Sequence, residues 1–281
     1  GITELETIAS SIDAQKYYKK IKQDNPDFKL VLGNEIYLCR NGLSKDNFIK
    51  GSDKYYHFIL LAKDLEGHKQ IRQLSTRAWD HSYMSFMMRV PTYYSDLQEI
   101  IGANPGHVIG STACLGGFIG SKILSNKTAL LADNYKQSEL WNKICGWIKN
   151  IENIFGKGNF FIELQPSVME DQIFANKYLI ELSKDLDIPY IITTDAHYLK
   201  KEDKNIHKAY LNSQDGDREV DDFYDSTYMM STDEIHQYLD QTIGKEAVSL
   251  GLQNTQLIYN MCEEYDLLRP LKSPYMPLDY N

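Results

Sequence analysis

Basic residues are in deficit: 30 Lys and Arg stand against 39 Asp and Glu, a formal net charge of -9 over 281 residues. Such a chain does not grip nucleic acid through a broad basic surface. Contact with a phosphate backbone has to be local, or be supplied by another part of a larger protein. Cysteine is scarce as well. Its four occurrences, at 39, 114, 145 and 262, show neither the paired spacing of a disulfide framework nor that of a zinc finger. No apolar run approaches the roughly 18 residues of a membrane span, and no leader pattern opens the chain, so the expected setting is the cytoplasm, away from membranes. Internal repeats, low-complexity tracts, a Ser/His/Asp triad, a Walker loop and a dinucleotide fingerprint are all missing. Gly116-Gly117 is too short for a phosphate loop and reads as a turn needing positive φ. The 20 tyrosines are dispersed, which suits packing better than a base-stacking array.

What is present is a soluble globular composition, 42% hydrophobic and 25% charged, able to bury a sizeable core. Apolar periodicity predicts helices over residues 8–22, 64–79, 93–101, 134–151 and 172–186, and strands over 29–38, 56–62, 107–111, 159–164 and 190–194. Residues 80–92 read as an irregular, Met-rich segment. This β/α alternation favours parallel strands joined by helices in one large domain. After Leu199 the character changes to helices over 201–211, 232–239 and 244–265, around an acidic loop at 215–225 that reads as solvated. The expected organisation is an α/β barrel over residues 1–200 and a helical extension over 201–281.

The run Pro189-Tyr-Ile-Ile-Thr-Thr-Asp195-Ala-His197-Tyr198 ends an apolar strand with a carboxylate and an imidazole two residues apart, on one face by strand alternation. Three other strand-like runs carry metal-ligating types: Glu35 in Gly-Asn-Glu-Ile-Tyr, His57 in Tyr-His-Phe-Ile-Leu-Leu, and Cys114 before Leu-Gly-Gly. Each has a plainer reading. Glu35 suits a hydrogen-bonded strand-end carboxylate, His57 a buried histidine satisfied by backbone, Cys114 a small core thiol, and Asp195 with His197 a structural ion pair. His68, His107, His207 and His236 fit solvated or capping positions, and Cys145 and Cys262 fit core positions.

In order along the chain, Gly-x-Glu-x-Tyr, Tyr-His-(apolar)-Leu-Leu-Ala-Lys63, Ala-Cys-Leu-Gly-Gly, Phe161-Ile-Glu-Leu-Gln165 and Thr-x-Asp-Ala-His-Tyr-Leu199 resemble the PHP (polymerase and histidinol phosphatase) domain of the bacterial and phage DNA polymerase III alpha subunit. The resemblance covers nearly the whole chain. It implies a distorted (β/α)7-type barrel with a multinuclear metal site at its strand ends. The family's first His-x-His pair has no counterpart, since this chain starts after it. The expectation is a barrel lacking its first β/α unit, with a strand edge bared near residues 30–37.

Gly1-Ile-Thr-Glu-Leu-Glu-Thr7 aligns with the family's Thr-Asp-His-Gly turn, placing Glu4 for the aspartate and Leu5, which cannot bind metal, for the histidine. The resemblance therefore assigns Glu35, His57 and Cys114 to one metal position, with Glu35 as the bridge to a neighbour. Asp195 goes to that neighbour and His197 to a third position that has lost its partner. Glu4 is an additional candidate, as is Arg89, which matches an arginine near the family's active-site mouth; Glu163 reads as structural. Such a partial site could hold one Zn or Mn ion, or none.

The implied function is the PHP domain of a replicative polymerase, with a degenerate metal site and a structural, subunit-docking role. Its partners would be the remainder of the polymerase and a proofreading or accessory subunit, with DNA engaged indirectly. The polymerase's own catalytic aspartates are not recognisable in these residues. An alternative is a metal-dependent phosphoesterase acting as a 3′-5′ exonuclease. A free-standing histidinol-phosphatase-like enzyme is disfavoured by the extension after Leu199, which resembles the polymerase version, with residues 270–277 as a linker.

Overall fold

The computed structural model describes residues 1–85, 87–215 and 222–268, so most of the acidic loop at 215–225 and the expected linker at 270–277 lie outside the described residues. In chain order the elements are β1 (Ile2–Leu5), α1 (Ser11–Asp24), β2 (Leu32–Cys39), β3 (Tyr56–Ala62), α2 (Leu65–Asp80), β4 (Tyr83–Met84), β5 (Met88–Arg89), β6 (Pro91–Tyr93) and α3 (Tyr94–Ile100). There follow β7 (Val108–Ser111), α4 (Phe118–Ser125), α5 (Lys127–Leu130), α6 (Glu139–Phe155), β8 (Phe160–Leu164), α7 (Glu170–Leu186), β9 (Tyr190–Ile192), α8 (Lys204–Asp215), α9 (Thr232–Ile243) and α10 (Lys245–Met261). Among the described residues no helix is long and apolar enough to cross a membrane.

Local chemistry sets many of these boundaries. The Asp64 carboxylate accepts from the Gly67 amide to start α2, and Ser138 accepts from the Trp141 amide to start α6. Ser231 and Glu234 form a reciprocal capping box at α9. Gly156, at φ +85°, follows α6, and Asp187, in the left-handed region, ends α7. Helices α4 and α5 fall in the stretch that periodicity left without an element. They are short, and the half-turn of residues 115–117 supplies no Ser, Thr, Asp or Asn cap to α4.

The main sheet runs β1-β2-β3-β7-β8-β9, with β6 joining β2. The pairs β1/β2, β2/β6, β7/β8 and β8/β9 are parallel, but β3 is antiparallel to both β2 and β7. The sheet is therefore mixed, where alternation alone favoured a parallel one. The link from β2 to β3 holds a single 3-10 turn at Lys45–Asn47 and no crossover helix, so the chain reverses as in a hairpin. β2 is not an edge: β1 pairs with it from Ile2↔Leu32 to Leu5↔Glu35. No pairing joins β9 to β1 among the described residues. The segment read as irregular contains the β4/β5 ladder, Tyr83↔Arg89 and Met84↔Met88. Two-residue strands are too short to show a period of two.

Strand alternation separates the sheet's two faces. On one, Leu38, Phe58, Leu60, Phe160, Ile162 and Leu164 join the helices in the larger core, where the Phe58 ring stacks on Phe155 and Phe160 at 5.7 and 6.1 Å between centroids. On the other, Val31, Ile109, Phe161 and Ile191 form a smaller apolar floor with Leu61, Cys262 and the end of α10. The same face continues past that floor to Glu35, His57, Ser111, Glu163 and Thr193. One face is thus apolar at one end of the strands and polar at the other, and the polar end holds the site.

Residues 262–268 return across α1. Gln15 clamps this segment with both ends of its amide, donating to the Tyr265 carbonyl at 2.6 Å and accepting from the Leu267 amide at 2.7 Å. Glu264 receives hydrogen bonds from Tyr18 and Lys22, and Asp266 from Lys19.

Candidate metal centre

Glu35, His57 and Cys114 each offer one ligand atom to a cluster in which all three atoms lie within 4.8 Å of one another. β2 and β3 deliver the first two side by side through the Glu35↔Ile59 and Tyr37↔His57 register. Cys114 arrives from the turn after β7, pinned because the His57 amide donates to the Gly116 carbonyl at 3.2 Å. A Cβ on Gly116 would come 3.0 Å from the His57 ring, and one on Gly117 would come 2.2 Å from the Thr112 carbonyl oxygen. This turn therefore needs its glycines for close approach and not for positive φ: neither is left-handed, Gly117 has φ -69°, and the left-handed residue here is Ala113.

His57 Nδ1 lies 2.6 Å from Glu35 Oε1 and 3.6 Å from Cys114 Sγ. Burial works against the charged imidazole, but the bonds to Cys114 and Glu35 outweigh it and raise His57 to about 10. Burial also pushes the Cys114 thiol up, partly offset by His57. A cation would displace the protons from His57 and Cys114.

The donor chemistry fits a metal. One carboxylate, one imidazole and one thiol form a borderline-soft set, and the thiol favours Zn over harder ions.

The structure does not treat the other candidates alike. Asp195, at φ +45°, stands outside the group of three; burial raises its carboxyl most, and the charges of His197, Glu35 and His57 act on it next. His197 pairs with Asp195, its Nδ1 lying 3.9 Å from Asp195 Oδ1, as the structural ion-pair reading expected. Its Nδ1 meets the Asp195 carbonyl at 2.7 Å, and its ring packs edge-on against His207 and Tyr224 at 5.6 and 5.3 Å.

Glu4 pairs in register with Asn34, on the sheet face opposite Glu35, and its Oε2 accepts from the Ser10 amide at 2.8 Å. It is not brought to the cluster. The Arg89 guanidinium lies 4.8 Å over the Tyr55 ring, and ring contacts continue from Tyr55 through Tyr37 to His57.

Two further carboxylates belong to this end of the sheet. Glu163 is buried between β7 and β9 and receives hydrogen bonds from the Ser111 hydroxyl and from Thr193 Oγ1, the latter at 2.6 Å. Burial raises its carboxyl, and the two hydroxyls oppose that. Its sequence signal was a lone acid inside the apolar run Phe160–Leu164. Glu6 is the residue that motif reading passed over. It follows β1 at φ +59°, and the Val90 amide and the charges of Arg89 and His57 oppose the upward effect of burial on its carboxyl. A left-handed glutamate cannot be recognised from residue type alone.

An α/β sheet whose strand ends converge a carboxylate, an imidazole and a thiol defines a candidate metal-site domain. This chain belongs to the PHP domain family, which matches residues 1–167. It is 42% identical over 286 residues to the probable DNA polymerase YorL of Bacillus subtilis, and equally to a DNA-directed DNA polymerase of Bacillus phage SPbeta. Each match covers 99% of this chain and 22% of the relative. It is 32% identical over 204 residues to the DNA polymerase III subunit alpha of Aquifex aeolicus, covering 70% of this chain and 15% of that one. The chain thus spans about a fifth of the curated relatives' length.

Proposed function

We propose that this chain is the PHP region of a DNA polymerase III alpha-like replicase. In this reading it serves DNA replication as a bracing and docking module built around a single-cation centre. The observation that supports it best is the division of the site: Glu35, His57 and Cys114 converge within 4.8 Å, while the His197 ring is packed on His207 and Tyr224. One cation has a donor set, with Zn preferred over Mn because of the thiol, whereas a multinuclear phosphoesterase needs ligands that these residues do not assemble.

Glu35, His57 and Cys114 would hold the ion, and the ion would supply a fixed positive charge that locks three strand ends together. The residues themselves orient one another: Glu35 fixes the His57 ring, and the turn of residues 114–117 fixes Cys114. Residues 1–200 form the barrel-like unit and 201–281 the extension toward the polymerase body. The partners are that body and a proofreading or accessory subunit, with DNA contacted indirectly, in the cytoplasm.

Elemental analysis of the purified chain beside Cys114→Ala tests the reading. About one Zn per chain, lost in the variant, is the expected result. Several tightly bound ions per chain would overturn the single-cation centre, and no ion in either protein would remove the centre altogether.

A second reading, a 3′-5′ exonuclease, draws on Asp195, on whose carboxyl the charges of Glu35 and His57 act, and on Arg89, which the Tyr55 and Tyr37 rings connect to His57. In that reading Arg89 would meet a phosphate and Asp195 would hold a proton or a further cation. Release of nucleotides from 3′-labelled single-stranded DNA by the full-length protein, lost in Asp195→Asn, would favour it. Equal rates in the two proteins would dismiss it.

A further inference from the structure

β2 and β3 are antiparallel neighbours, a connection for which about two to five residues suffice, yet residues 40–55 fill it. The extra length is not slack. Leu43 is buried, and its carbonyl accepts from the Tyr93 hydroxyl at 2.6 Å. Arg40 donates to both Asp53 oxygens, at 2.6 and 3.0 Å, and to the carbonyl and side-chain oxygens of Asn47. Asp53 also accepts from the Ile49 amide at 2.8 Å. Polar bonds thus order the loop without burying its apolar pair: Phe48 and Ile49 stay 41% and 61% exposed. An ordered loop that leaves an aromatic and an aliphatic side chain in water has the character of a preorganised contact surface.

Ring geometry and charge select its occupant. The Phe48 ring lies near-parallel to that of Tyr55, at 13° and 6.0 Å between centroids. Tyr55 is held in turn by the Tyr83 hydroxyl, which meets its own, and by the Arg89 guanidinium 4.8 Å over its ring. Phe48 is the more exposed end of this stack, where one further flat ring can extend it. Lys45 and Lys50 stand on either side of it in the chain, exposed and with no ion-pair or hydrogen-bond partner for their side chains among the described residues. Lys54 reaches only the Ser121 hydroxyl, at 3.2 Å. Of the loop's two acids, Asp53 is paired with Arg40, which leaves Asp46. In a chain of net charge -9 this is a local excess of cations around an aromatic face. Lysine is depleted in the cores of protein interfaces, whereas cations beside stacking rings suit a single strand of nucleic acid. A duplex has no base face to offer.

We propose that residues 45–55 bind single-stranded nucleic acid, with a base stacked on Phe48 and neighbouring phosphates on Lys45, Lys50 and Lys54. The contact is local, as the acidic composition requires. It goes beyond the reading above, which leaves duplex DNA to the polymerase body, and it does not depend on the cation centre.

Fluorescence anisotropy of labelled oligothymidylate with the full chain, over a salt series, tests this for wild type, Phe48→Ala, Phe48→Trp and the double variant Lys45→Ala with Lys50→Ala. An unlabelled duplex of equal length and polyglutamate serve as competitors. The substituted side chains are exposed, so all four proteins should melt together. The expected result is a loss of roughly tenfold in Phe48→Ala and none in Phe48→Trp, whose larger ring keeps the stack. In the double variant the slope of log affinity against log salt should fall by roughly 1.4, about 0.7 for each phosphate contact removed. No binding by the wild type at low salt would overturn the proposal. So would wild-type affinity in both Phe48→Ala and the double variant, which would place the strand elsewhere. Displacement by polyglutamate as effective as by unlabelled strand, with Phe48→Ala unchanged, would mark a surface for an acidic protein and overturn it too. Zn content of the same preparations keeps the two readings apart: strand binding lost with Zn retained overturns only this one, and the reverse overturns only the cation centre.

Discussion

Glu35, His57 and Cys114 stand on β2, on β3 and in the turn after β7, three strands hydrogen-bonded to one another without a break. Asp195 and His197 stand beyond the last residue of β9, where the ladder has ended. The first group is positioned by cross-strand register and by the stacked Phe58, Phe155 and Phe160 rings beneath it. The second is positioned by a turn and by C-terminal residues, the His197 amide bonding to the Thr227 carbonyl at 2.8 Å. Donors fixed by a ladder converge into the group of three, whereas the motif pair in the turn pairs with itself, His197 Nδ1 lying 3.9 Å from Asp195 Oδ1. Two residues at i and i+2 share a face only while the backbone stays extended, and Asp195, at φ +45°, interrupts that.

The most disruptive way to break this contrast is to remove its support. Phe58→Ala opens a void beside two other rings and should cost about 3–5 kcal/mol of stability, read by denaturant unfolding. Next, His57→Ala should weaken Zn binding by roughly a hundredfold or more, about 2.7 kcal/mol, because a ligand is lost outright.

Glu163 joins the two regions, taking one hydroxyl from each side. Glu163→Ala leaves both hydroxyls without their acceptor and should destabilise by about 1–3 kcal/mol. Its pH dependence has a definite sign. A carboxyl raised from 4.5 contributes stability that is present below pH 4.5 and is lost as pH rises through the folded value. Glu163→Gln should therefore flatten the stability profile above pH 4.5, and a profile as steep as wild type would remove Glu163 as its source. At the small end, Asp195→Asn should change Zn affinity by less than about tenfold and His197→Ala not measurably. A hundredfold loss in His197→Ala would erase the contrast.

Much of this was legible in the residues. β3 shows clean alternation, with Phe58, Leu60 and Ala62 buried, so its span was read to the residue. The triad was legible because strand-end Glu, His and Cys fall in motifs with fixed neighbours. The antiparallel setting of β3 was not, since periodicity gives a strand's faces and leaves its direction to the connections. Glu4 and Glu6 illustrate the same limit. Alignment favoured Glu4, yet register with Asn34 sends it to the far face, while Glu6 takes a left-handed backbone conformation that composition does not encode.

The Gln15 clamp has a mechanical meaning. Where residues 262–268 cross α1, tension applied to the chain beyond them would load two amide hydrogen bonds and the charged contacts of Glu264 and Asp266 together. The segment is a clasp in which load is taken up by α1 before it reaches α10 or the sheet. Pulling on the C-terminal side would open the clasp first and leave the strand ladder, and the cation donors fixed by it, in register until later.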